Sequence, residues 1–169
     1  VVRYAEDLAA IERRYPVAYS PTRAARLSKF QEGWRKRLGE LDFDSLNFEG
    51  KIDYIALRNR IDYDIEKLRL DQERSVQMAV LLPFQDDIRQ LEEQRLDRKR
   101  TDGRIAAATL DKVARQAREA SDALVEEAKR TGGVVTRKGL SRAVALRAAE
   151  QTMSLRSTLA DWNTFYDGY

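Results

Sequence analysis

An all-α antiparallel bundle of about six helices is the fold class this sequence predicts, and three observations predict it. Apolar residues recur at steps of three and four almost from end to end. No window shows the sustained alternation of a half-buried strand, and no internal repeat is present. Pro16, Pro21, Pro83, Gly103 and the Gly132-Gly133 pair punctuate the periodic segments. The 169 residues are 43% hydrophobic and 35% charged, with 8 Gly and 3 Pro. That is enough apolar side chain for a core, and it excludes collagenous and broadly disordered chains. The length fits one helical domain over 1–169 or a piece of a larger protein.

The first helix is predicted over 2–15, where Tyr4, Leu8, Ile11 and Tyr15 stack on one face until Pro16 and Pro21 intervene. Ser20 before Pro21 reads as a cap followed by a first helical turn, opening a second helix over 21–41 on Leu27, Phe30, Trp34, Leu38 and Leu41. A third, over 48–82, is carried by Tyr54, Leu57, Ile61, Ile65 and Leu68, with Ile52 and Ile55 expected to widen the stripe and Pro83 to end it. Phe84, Ile88 and Leu91 predict a fourth over 84–100, expected to be exposed on most of its surface because its other residues are nearly all charged or amide. Thr101-Asp102-Gly103 reads as a turn. The fifth helix, over 106–131, follows Leu110, Val113, Ala117, Ala120, Leu124 and Ala128 to Gly132-Gly133. Thr136 is the expected cap of a sixth over 137–167, lined by Leu140, Val144, Ala148, Leu155, Leu159, Trp162 and Tyr166 and ended by Gly168.

Two zeros narrow the chemistry. Without cysteine there is no disulfide, thiolate zinc site, iron–sulfur cluster or cysteine nucleophile, and without histidine there is no Ser-His-Asp triad, His-bound zinc or Glu-x-x-His di-iron site. Gly-rich phosphate loops, GxSxG elbows and calcium loops are also missing from the sequence. The charged start, Val1 to Asp7, reads as neither a signal nor a transit peptide. The longest apolar run, Met78 to Phe84, is too short for a membrane span, which needs about 18 residues.

The formal net charge is +3, and its distribution is uneven. Residues 95–104 hold five basic side chains against Asp97 and Asp102, and residues 129–142 hold five more with no acid. Both segments fall where helices end, and cations are favoured there by the helix dipole. Solvated helix ends therefore outweigh nucleic-acid contact as the reading. The adjacent carboxylates Asp86 and Asp87, and Glu92 and Glu93, diverge by about 100° on a helix and cannot converge on one metal. Asp62 and Asp64, which flank Tyr63, are read with them as a solvated face, and Arg58 and Asp62 as an i, i+4 pair.

Asp53-Tyr54-Ile55-Ala56-Leu57-Arg58-Asn59-Arg60-Ile61-Asp62-Tyr63-Asp64 resembles the D-Y-x-x-L-R helix of the bacterial family known as domain of unknown function 885. Trp162-Asn163-Thr164-Phe165-Tyr166-Asp167-Gly168-Tyr169 resembles that family's W-x-x-F-Y-x-G-Y segment, and Leu41 to Leu46 fits its spacing. The resemblance implies an N-terminal fragment of a larger helical protein similar to the HExxH zinc metallopeptidases. Zinc is then implied only for a C-terminal part outside this sequence. This chain would have no catalytic, metal or cofactor residue and would form a wall or lid of the substrate cleft. Tyr54, Arg58 and Tyr63 are the candidate cleft-facing residues. The partners expected are that C-terminal part or another copy of the chain, and the family leans toward the bacterial periplasm or cell envelope. A stand-alone helical binding or scaffolding domain is the alternative reading, and a basic nucleic-acid-associated bundle the third. At the C-terminal end, Trp162 and Tyr166 continue the core stripe, so Phe165 or Tyr169 is expected to be exposed or covered by another copy.

Overall fold

The computed structural model describes residues 1–132 and 140–167. Among them it contains six helices and no strand: α1 (Val2–Arg14), α2 (Pro21–Gly39), α3 (Phe48–Ala79), α4 (Gln85–Leu96), α5 (Gly103–Arg130) and α6 (Arg142–Tyr166). The all-helical class follows from the three-and-four spacing, which leaves each helix one apolar face to bury.

Local chemistry sets the ends. Ser20 Oγ accepts the Arg23 backbone N–H at 3.0 Å, and Pro21 supplies the first helical residue of α2. Asp102 is a cap rather than part of a free turn. Its Oδ1 accepts the N–H groups of Arg104 and Ile105, so α5 begins three residues before the expected start. The helix then runs to Arg130, with Gly132 at φ 67 just beyond it. Ser141 caps α6 by accepting the Val144 N–H, and the helix starts at Arg142. Thr136, Gly133 and Gly168, expected at helix ends, lie outside the described residues, as does Tyr169. α3 stops at Ala79 rather than 82, because the residue before Pro83 is pushed out of the helical region and Leu81 and Leu82 turn back onto the Met78 carbonyl. α4 is shorter than expected and ends at Leu96, with Arg98 left-handed at φ 54.

The chain divides into two compact units, Val1–Glu73 and Arg74–Tyr169, and α3 runs through the boundary. In the first unit, α1 packs on α2, and Tyr4, Leu8, Leu27, Leu38, Leu57 and Ile61 form the buried core. Tyr4 stacks on Phe30 at 5.2 Å between ring centroids and meets Trp34 edge-on at 5.6 Å. Each fully buried aliphatic side chain in such a core stabilises by about 1.5–3 kcal/mol. Ile52 and Ile55 do not widen this core; both are exposed.

In the second unit α4 packs against both α5 and α6. Leu91, Ala106 and Trp162 form its core cluster, with Leu110 and Tyr166 against them. The expectation that α4 is largely exposed is overturned: Gln85, Ile88, Arg89, Leu91 and Glu92 are all buried. Several of its polar side chains bond one another, which lowers the cost of burying them. Arg89 donates to Gln85 Oε1 and Asp86 Oδ1, each at 2.9 Å, and Glu92 takes a two-pronged bond from Arg95.

Candidate functional site

Three polar or small-residue stripes of the first unit meet around a cavity of about 330 Å³. α2 contributes Ser20, Ala24, Leu27 and Gln31, spaced four, three and four apart, so they share a face. α3 contributes Arg60, Asp64, Lys67 and Asp71 at the same spacing, together with Leu68. Leu8 and Glu12 of α1 close the third side, and the turn between α1 and α2 adds Ala18 and Tyr19. Tyr19 has a φ of 58, a left-handed conformation that costs a bulky residue of order 1–3 kcal/mol.

Three buried polar side chains, Ser20, Gln31 and Asp64, stand in the lining. Asp64 is only 6% exposed, and its Oδ2 accepts the Tyr4 hydroxyl at 2.9 Å and Arg60 Nε at 2.8 Å. Both bonds converge on one oxygen of the carboxylate. Burial, and next the bond to Asp64, hold the Tyr4 hydroxyl protonated well above the ordinary tyrosine range. The same carboxylate strengthens the proton hold of Arg60. Gln31 is 3% exposed, and its Oε1 is buried with no hydrogen-bond partner. An acceptor left in that condition costs about 1–3 kcal/mol.

The cations along the lining are already engaged or lie at the rim. Arg23 donates to the backbone carbonyls of Glu12 and Tyr15 and, at 2.8 Å, to Glu12 Oε1. The Arg60 guanidinium is committed to Asp64, and Lys67 is exposed. The lining thus combines these paired charges with the apolar side chains of Leu8, Leu27 and Leu68.

None of the three candidate cleft-facing residues lines this cavity. Tyr54 packs against the core of the first unit, its ring edge-on to Phe43 at 5.1 Å. Arg58 is exposed, and Tyr63 is 62% exposed. The two project about 140° apart around α3, five residues at about 100° each. Asp62 faces Arg35 at 3.6 Å, in place of the expected pairing with Arg58. Asp64 is not part of a solvated face, because Tyr4, sixty positions earlier, reaches it.

The basic segments of the second unit hold local acids. Arg95 pairs with Glu92, Lys99 lies 3.5 Å from Asp97, and Lys129 meets Glu126 at 2.8 Å. Arg137 and Lys138 lie outside the described residues. Phe165 is 50% exposed, as its place off the core stripe predicts, with the Arg95 guanidinium 5.1 Å from its ring centre. Tyr166 shares a 2.7 Å hydrogen bond with Thr101. No helix is long and apolar enough to cross a membrane among the described residues.

No protein family, curated protein or solved structure matches the chain.

The cavity was hidden in the sequence in one respect and legible in another. Arg60, Asp64, Lys67 and Asp71 alternate in charge at helical spacing, a stripe that a purely solvated face has no need to order. Gln31 carries no such signal. A glutamine four residues from a core leucine reads as the edge of an apolar stripe.

Proposed function

We propose that this chain is a non-catalytic helical binding region, the N-terminal part of a zinc-dependent, peptidase-like hydrolase, and that it supplies a wall or lid of the substrate cleft. The observation that supports a binding role is the cavity of about 330 Å³ in the first unit, whose lining includes the buried polar side chains Ser20, Gln31 and Asp64. The hydrolase class rests on the resemblance of residues 53–64 and 162–169 to the domain of unknown function 885 family.

Zinc has no fitting holder here. The sequence contains neither His nor Cys, and among the described residues no three His, Cys, Asp or Glu gather closely enough to hold an ion. No chemical step is therefore assigned to these residues. In this reading the metal and the water-activating glutamate belong to a downstream HExxH helix. Of the three candidate residues on α3, Arg58 and Tyr63 are exposed and would be free to meet such a partner segment. Their angular separation means that a flat wall engages one of them rather than both.

The reading is tested by the coding sequence that contains these residues. An open frame that continues past Tyr169 to an HExxH motif supports it. A frame that closes there, or continues without that motif, overturns it in favour of the stand-alone binding domain, which a cavity contained within a single unit also suits.

A further inference from the structure

We draw no further inference here: the strongest candidate, the exposed apolar stripe that Phe48, Ile52 and Ile55 form on one face of α3 in the first unit, is an unpartnered helix face, and nothing in the structure shows what covers it.

Discussion

Both units bury a charged side chain, Asp64 in the first and Arg89 in the second, and the partners that serve them differ in kind. Asp64 takes the Tyr4 hydroxyl from another helix, sixty positions away, and only one of its ligands, Arg60, is a neighbour on α3. Arg89, 2% exposed, donates to Gln85 and Asp86 on its own helix and reaches Ser75, fourteen positions back, at 3.5 Å. The anion joins α1 to α3 across sixty positions; the cation is bonded along α4 and to the nearby end of α3. A cavity adjoins the first arrangement. Burial of a charge therefore serves a long-range contact in one unit and a short-range one in the other.

The largest expected effect on this contrast comes from Tyr4→Ala. It removes a buried ring that contacts Phe30 and Trp34 and also the donor to Asp64. Loss of about 3–5 kcal/mol in urea unfolding is expected, with α1 becoming the first site of proteolytic cleavage. An effect below about 1 kcal/mol would mean that α1 is not held by this network.

Next comes a matched pair. Asp64→Leu leaves the Tyr4 hydroxyl buried without its acceptor, and about 2–3 kcal/mol is expected to go. Arg89→Met keeps most of the buried volume and leaves Asp86, whose side chain is 71% exposed, in water. Gln85 Oε1 loses its donor, so about 1–2 kcal/mol is expected. Hydrogen exchange should show protection lost along α1 in the first variant and only around α4 in the second. The reverse pattern would collapse the comparison.

The third expectation concerns pH. The Tyr4 hydroxyl keeps its proton in the folded chain, chiefly through burial, while in the unfolded chain it ionises near the ordinary value of about 10. The folded value is raised, so this contribution is fully present below about pH 10 and is lost as pH climbs through the window above it. The slope is about 1.4 kcal/mol per pH unit. Tyr4→Phe should lower stability by about 1 kcal/mol at neutral pH and flatten that alkaline slope. An unchanged slope in Tyr4→Phe would assign it to another group.

The smallest effects sharpen the same contrast at the helix caps. Ser20, buried at the cavity wall, and Ser141, exposed, each accept a backbone N–H three residues on. Ser20→Ala is expected to cost about 1–2 kcal/mol and Ser141→Ala about 0.5–1, measured by thermal unfolding. Equal costs would show that burial adds nothing to the first cap.

How far these features were legible in the sequence depended on the distance between partners. Ser20-Pro21 is a local signal, and the cap stands where it predicts. The apolar stripe of α5 is likewise local, and its members from Leu110 to Ala128 are buried or half-buried. Asp64 was misread because its neighbours Asp62 and Tyr63 are exposed and its partner Tyr4 is remote. α4 was misread for a related reason. Charge and amide content forecast exposure, but Arg89 bonds Gln85 at i, i+4 and Arg95 bonds Glu92 at i, i+3, which lowers the penalty that keeps such residues outside. The start of α6 was placed too early because Leu140 continues the apolar stripe, while Ser141 supplies the cap. Gln31 shows the limit of pattern reading, since nothing local distinguishes an unpartnered buried amide from a satisfied one.

The central claim is that Asp64 holds α1 to α3 through the Tyr4 hydroxyl. Its most direct test is a double-mutant cycle in urea unfolding with Tyr4→Phe, Asp64→Leu and the two together. The expected result is a coupling of at least about 1 kcal/mol, since each single change removes the same bond. Effects that add to within about 0.3 kcal/mol would contradict it.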